Sequence, residues 1–144
     1  MKHVHHYTEA SERLPKILSS GELLGRADNH DERPLVWFSS HPFWEPTATK
    51  PRKVGSMIVS QTFEEYRDGY GLVRFSLPAN DSRLINWRKA CKYAGISKRD
   101  RQAMETAGKK AGGNPSQWFA LAGPLPLDQV YIEYLNGNSW EPAQ

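Results

Sequence analysis

Hydrophobic positions along this chain follow two rhythms, and the places where the rhythm changes mark where one element gives way to the next. HVHHYT alternates and carries a β-branched Val4 and an aromatic Tyr7. That predicts a short strand with His3 and His5 on one face and His6 on the other. Thr8 or Ser11 is then placed to cap a helix. In ERLPKILSSGELL, Leu14, Ile17 and Leu18 recur at helical spacing, Pro15 suits a first turn, and Gly21 offers the left-handed residue that stops a helix. GRADNHDERP reads as a polar loop, and PLVWFSS as a buried strand, because Leu35, Val36, Trp37 and Phe38 follow one another without polar interruption.

Pro42, Pro46 and Pro51 break regular structure across HPFWEPTATKPRK, which predicts an ordered loop with exposed aromatics, of the kind that holds ligands. SMIVSQTF and GLVRFSLP read as strands, with the glycines of EEYRDGYG making the turn between them. The most helical part follows: a segment around SRLINWRKACKYAG, then SKRDRQAMETAGKKAGG with Ser97 as N-cap and Gly112 and Gly113 as the stop. QWFALAGPLP and DQVYIEYL close the pattern as strands, and NGNSWEPAQ, residues 136–144, reads as a frayed tail. The order β-α-β-loop-β-β-α-α-β-β predicts an α+β fold rather than regular βαβ alternation.

Composition narrows this further. With 144 residues, 38% hydrophobic and 24% charged, the chain suits a single globular domain over residues 1–144. No run approaches the ~18 apolar residues of a membrane helix, and MKHVHHYTEA lacks the apolar core of a signal peptide, so the expected location is the cytoplasm, with no membrane partner. A single cysteine, Cys91, forms no internal disulfide and reads as a buried thiol. The net charge of +3 is mild, but its distribution is uneven. Arg88, Lys89, Lys92, Lys98, Arg99, Arg101, Lys109 and Lys110 face only Asp100 and Glu105. Such a stretch is either a solvated helical face or a track for phosphates. There is no glycine-rich phosphate loop, nucleophile elbow, HExxH or EF-hand. His3 and His5 have no evident third metal ligand, so no metal site is expected and they read as exposed polar positions on an edge strand.

VHHYTEASERLPKILSSGEL resembles the opening of ADP-ribosyltransferase-fold proteins, in which a strand ending in His-x-Thr leads into a helix of the form L-x-x-I-L-x-x-G-x-L. His6, Tyr7 and Thr8 fall on the first motif. LVWFSS resembles the next core strand of that fold, whose aromatic and serine residues line the nicotinamide pocket. SQWFALAGPLPLDQV resembles the catalytic-strand segment of the DNA-targeting ADP-ribosyltransferase toxins. The resemblance implies two small antiparallel or mixed sheets with flanking helices around an NAD cleft. It also implies transfer of ADP-ribose from NAD, the substrate, to a macromolecular acceptor, nucleic acid rather than protein.

Breaking the nicotinamide–ribose bond develops positive charge on the sugar, so such a site must hold the dinucleotide and bring negative charge near the ribose. His6 can exchange a hydrogen bond with a ribose hydroxyl, and Ser39 or Ser40 with the ribose or the nicotinamide amide. Trp44 or Tyr7 can cover a flat ring, and Arg74 can fork onto a pyrophosphate. The cleft would be lined by His6, Tyr7, Thr8, Ser39 and Gln117, with FWEPT as its cover. Gln117 takes the position where transferases of this fold commonly carry glutamate, so the acid is Glu45 or Glu133, or the charge comes from elsewhere. Glu133 otherwise reads as an outward residue of the last strand, and Glu64 and Glu65 as members of a solvated turn. A nucleic-acid acceptor would meet Arg88, Lys89, Lys92, Lys98, Arg99 and Arg101. The alternatives are a non-catalytic basic binding module on the same fold, an enzyme resembling the RNA 2′-phosphotransferases, and an interaction protein anchored by exposed Trp44 and Trp140.

Overall fold

A computed structural model describes residues 2–27 and 30–143. The loop reading at Asp28 and Asn29 and the tail reading at Gln144 lie outside the described residues. The elements run β1 (His3–Glu9), α1 (Arg13–Ser20), β2 (Glu22–Leu23), β3 (Val36–Ser39), β4 (Arg52–Val54), β5 (Met57–Val59), α2 (Phe63–Tyr70), β6 (Leu72–Pro78) and β7 (Ile85–Asn86). They continue with α3 (Trp87–Ala94), α4 (Lys98–Lys110), β8 (Trp118–Leu121), β9 (Leu125–Pro126), β10 (Tyr131–Asn136) and β11 (Ser139–Pro142). The fold is α+β, built on an antiparallel sheet.

That sheet has seven strands in the order β11-β10-β6-β1-β3-β8-β7, and β2-β9 and β4-β5 form separate ribbons. The two small sheets expected from sequence are therefore halves of one sheet. The join between them is thin. β1 pairs with β6 over its whole length, from His3↔Pro78 to Glu9↔Leu72, but with β3 only at His5↔Ser39. Past that pair the backbones part, and the Trp37 carbonyl takes its hydrogen bond from the Nδ1–H of His6 at 2.7 Å instead of from a neighbouring strand. Orphaned strand carbonyls need such partners.

One face of the sheet is covered by α1 and the β2-β9 ribbon over a core of Val4, Leu14, Val36, Phe38, Phe75 and Leu121, which spans both halves. The other face carries separate clusters. Tyr7, Tyr66 and Leu72 pack under α2, while Trp87, Cys91 and Trp118 pack under α3 and α4. Gly108 of α4 is required there, because a Cβ at that position would meet Trp118 at 2.3 Å.

Several sequence expectations are corrected. EEYRDGYG is helical: Thr62 and Glu65 form a capping box, and Gly71, at φ 69°, ends α2 where the turn was expected. SMIVSQTF yields only β5, which pairs with β4 inside the proline-bounded loop rather than joining the main sheet. The tail is not frayed, since β11 pairs with β10 from Glu133↔Pro142 to Asn136↔Ser139. Neither Thr8 nor Ser11 caps α1; Thr8 lies within β1 and Glu12 holds the N-cap position without a side-chain bond. Ser97 does cap α4, accepting from the Asp100 N–H at 3.1 Å.

His5 is likewise not an exposed edge residue. β1 is central, and His5 is 8% exposed with Nδ1 at 2.6 Å from Ser76 Oγ. Burial, and then the nearby charges of Arg74 and His3, push its pKa down to about 3. The folded value lies below the unfolded one, so the unfolded chain takes up the proton first as pH falls. The stability that neutral His5 contributes is complete above about 6.5 and is lost progressively from there towards about 3. His6, also shifted down, adds in the same sense. Urea unfolding between about pH 7 and 4 is expected to show falling stability in the wild type and a shallower fall in His5→Asn, whose amide can still reach Ser76. Equal slopes would remove His5 from this account.

Candidate functional site

Where β1 and β3 part, a cavity of about 690 Å³ opens, within the size range of small-molecule sites, roughly 300–1,000 Å³. β1 contributes His6 and Thr8, and β3 contributes Trp37 and Ser39. The wall opposite comes from the segment after Trp44, with Glu45 and Lys50, and from α4, with Ala107 and Gly108. Arg13 of α1 and Arg26, beside β2, line a third side, and Glu32 and Arg33 add a carboxylate and a further guanidinium.

Electrostatics distinguish this cavity from an apolar crevice. Among the described residues, the side chains of Arg13, Arg26 and Lys50 make no hydrogen bond or ion pair. Burial holds the Lys50 ammonium below its ordinary pKa, the charges of Arg13 and Arg26 press it further, and Glu9 partly offsets them. Burial likewise lowers His6, against the Trp37 hydrogen bond that raises it, and Lys50, Arg13 and Arg26 all add to the lowering. His6 is therefore neutral near pH 7. Because a carbonyl can only accept, the His6 proton sits on Nδ1 and Nε2 keeps a lone pair. Cations that repel one another around a shared cavity are relieved by an anion, so the arrangement favours a ligand with two or more negative charges.

The lining also has aromatic surface. Trp37, Trp87 and Trp118 follow one another along it, with centroids 5.5 Å apart in a tilted pair and 5.0 Å apart in an edge-to-face pair. Glu45, which is 6% exposed, fixes the wall. Its carboxylate accepts from Ser39 Oγ at 2.8 Å, Thr47 N at 3.0 Å, Thr47 Oγ1 at 2.7 Å and Trp118 Nε1 at 3.2 Å. One side chain thereby ties β3, β8 and the turn Pro46–Ala48 together.

The structure gathers His6, Tyr7, Thr8 and Ser39 on the lining and leaves other expected residues off it. Gln117 ends the short helical turn before β8 and is absent from the lining; its carbonyl accepts the Ser40 N–H at 2.9 Å. Ser40 also stays outside the lining. Arg74 shares the sheet face of Tyr7 rather than of His6. There it bonds Glu133 at 2.8 Å and the Pro42 carbonyl at 3.0 Å, beneath the Trp140 ring. Glu133 is accordingly a half-buried ion-pair partner and not an outward residue. Trp44 is 4% exposed and Trp140 donates to the Phe43 carbonyl at 2.8 Å, so neither is the free surface anchor expected. Of the long cationic stretch, Arg88, Lys89, Lys92, Lys98 and Arg99 are exposed, while Arg101 is half-buried beside Glu105 at 3.4 Å.

Arg13, Arg26 and Lys50 are the candidate residues that sequence reasoning missed. They sit in unrelated segments with no shared spacing, and only the fold makes them neighbours. A usable signal was the absence of any carboxylate between Glu45 and Glu64, which leaves Lys50, Arg52 and Lys53 without local partners. Comparison with family models, curated proteins and solved structures finds no match.

Truncation of Glu45 to Ala is expected to leave donors of Ser39, Thr47 and Trp118 unpaired in a buried site, at roughly 1–3 kcal/mol per group before relaxation. Chemical denaturation should register a total loss above about 3 kcal/mol. A loss under about 1 kcal/mol would mean the carboxylate does not hold the wall.

Proposed function

We propose that this cleft binds NAD and that the protein is an ADP-ribosyltransferase acting on a macromolecular acceptor, nucleic acid in preference to protein. The observation that carries this reading is the convergence of Arg13, Arg26, Lys50 and His6 on one cavity walled by tryptophans. A dinucleotide has the matching chemistry: a doubly charged pyrophosphate between two flat rings. The three cations would take the pyrophosphate, the guanidinium groups as forks and the ammonium as a point charge. The Nε2 lone pair of His6 would accept from a ribose hydroxyl, and a tryptophan face would cover a ring.

Of the three residues weighed for the acid position, Gln117, Glu45 and Glu133, Glu45 is the one in the cleft lining. Four donors fix its carboxyl group beside the cleft. In the proposed transfer the bond between the ribose C1′ and nicotinamide breaks, its electron pair leaving on nicotinamide. Positive charge grows on the sugar near the Glu45 carboxylate, C1′ bonds an acceptor oxygen or nitrogen, and the acceptor proton passes to water.

A second reading is favoured by the number of cations. Arg13, Arg26, Arg33 and Lys50 around the cavity exceed what a pyrophosphate alone requires, and they suit an acceptor that brings its own phosphate, as in the RNA 2′-phosphotransferases. Consumption of NAD only in the presence of 2′-phosphorylated RNA would select it.

Calorimetry is expected to detect NAD binding, with Arg26→Ala and Lys50→Ala each weakening it about tenfold or more, as for loss of a charged hydrogen bond. Labelled NAD incubated with nucleic acid should release nicotinamide and label the acceptor, and His6→Ala should depress both. Absence of NAD binding in a folded wild-type protein overturns the proposal; binding without release leaves a nucleotide-binding module.

A further inference from the structure

A second cavity, of about 600 Å³, lies against the first and shares Thr49 and Lys50 with it. His41, Phe43, Trp44, Gln61 and Phe63 line it. Its chemistry differs from that of the cation-rich cleft. Phe63 stands between two other rings, with centroids 5.5 Å from Phe43 and 5.6 Å from Trp44 and ring planes inclined by 57° and 56°, so the wall is aromatic but faceted. His41 Nδ1 accepts from the N–H groups of Phe43 and Trp44, both at 3.2 Å. The proton of the neutral ring is therefore on Nε2, which has no partner among the described residues. Gln61 donates from Nε2 to the Lys50 carbonyl at 2.8 Å, which fixes its amide and leaves Oε1 as an acceptor. One ring face of such a wall, with a donor and an acceptor beside it, is the chemistry that receives a nucleobase face and edge.

Cations at the mouth extend this match. Pro51 lines the cavity and leads directly into β4, where Arg52 and Lys53 are exposed. No carboxylate occurs between Glu45 and Glu64 in the sequence; Glu65 of α2 lies near enough for the Arg52 charge to add to the lowering of its pKa, so the mouth is basic with one acidic neighbour.

We infer that this second cavity is a docking site for single-stranded nucleic acid, taking one unstacked base against Phe43 and Phe63 while Lys50, Arg52 and Lys53 hold the flanking phosphates. The strand is thereby set beside the first cleft across Lys50, the position an acceptor needs. The acceptor role rests on the transferase reading; the binding itself does not. The hairpin also exposes Val54, Met57 and Ile58, by 49%, 66% and 69%. A basic, apolar-tipped hairpin alone suits an anionic membrane too, and the aromatic cavity with its donor and acceptor is what favours the base.

The test measures fluorescence anisotropy of labelled probes with the full chain and no NAD. The probes are a mixed-sequence single strand of about ten nucleotides, within the usual footprint of such sites, and an abasic strand of equal length. Anionic phosphatidylserine vesicles are assayed by sedimentation. The single strand should bind with salt dependence, and the abasic strand about tenfold more weakly. The exposed double variant Arg52→Glu/Lys53→Glu should lose about tenfold or more and show a smaller salt slope. Phe63→Ala should remove the preference for the strand carrying bases. Should Phe63→Ala fail to fold, the charge reversal and the abasic strand decide the matter alone. Equal binding of both strands, unchanged binding by the double variant, or sedimentation with vesicles and no oligonucleotide binding each overturn the inference. Oligonucleotide binding without any NAD consumption defeats the transferase reading and keeps this site, and NAD turnover without oligonucleotide binding does the reverse.

Discussion

The buried carboxylate of Glu45 is the interaction on which the rest of the site depends. A buried carboxyl group is costly unless its oxygens are satisfied, and this one sits at 6% exposure where four donors converge on it from two strands and a turn. The geometry it fixes reaches well past its own position. Ser39 is held on the β3 side and the Trp118 ring on the β8 side, while the turn Pro46–Ala48 is pinned so that Thr49 and Lys50 stand between the two cavities. α4 fits against the same assembly, because Gly108 lets the helix backbone meet the Trp118 ring at a distance no side chain would permit.

Around that anchor the molecule separates two kinds of charge. Arg74 and Glu133 pair with each other on the Tyr7 side of the sheet and are spent on structure. Among the described residues Arg13, Arg26 and Lys50 have no such partners on the cleft, where burial first, and their charges second, lower the Lys50 and His6 pKa values. Arg13 and Lys50 are half-buried and Arg26 is exposed; a fold tolerates half-buried cations without an ion-pair partner at a cost, and that cost is characteristic of sites that complete themselves with a ligand.

How much of this the sequence revealed depends on the range of the interaction involved. β1, β3, β6 and β8 were legible because each is a local run of β-branched, aromatic or aliphatic residues bounded by polar turns. The cap at Ser97 was legible because capping is decided within four residues. α2 was hidden by Gly69 and Gly71, which read as turn residues although the Thr62–Glu65 capping box starts a helix just before them. β4 was masked by Pro51, and β11 by a composition that resembles a disordered end; in both, pairing with a neighbouring hairpin strand supplies the order. At the site, the His-x-Thr reading placed His6 and Thr8 on the cleft. Arg74 was misread because its partner, Glu133, lies 59 residues away. Arg13, Arg26 and Lys50 escaped for the same reason: their proximity is tertiary and leaves no spacing to recognise.

The single His5↔Ser39 pair has a mechanical consequence. The apolar packing beneath α1 runs across both halves of the sheet, whereas the aromatic packing on the opposite face is divided between them. Bending about this line therefore works against one ladder rung and the His6–Trp37 hydrogen bond, with the shared aliphatic layer as its pivot.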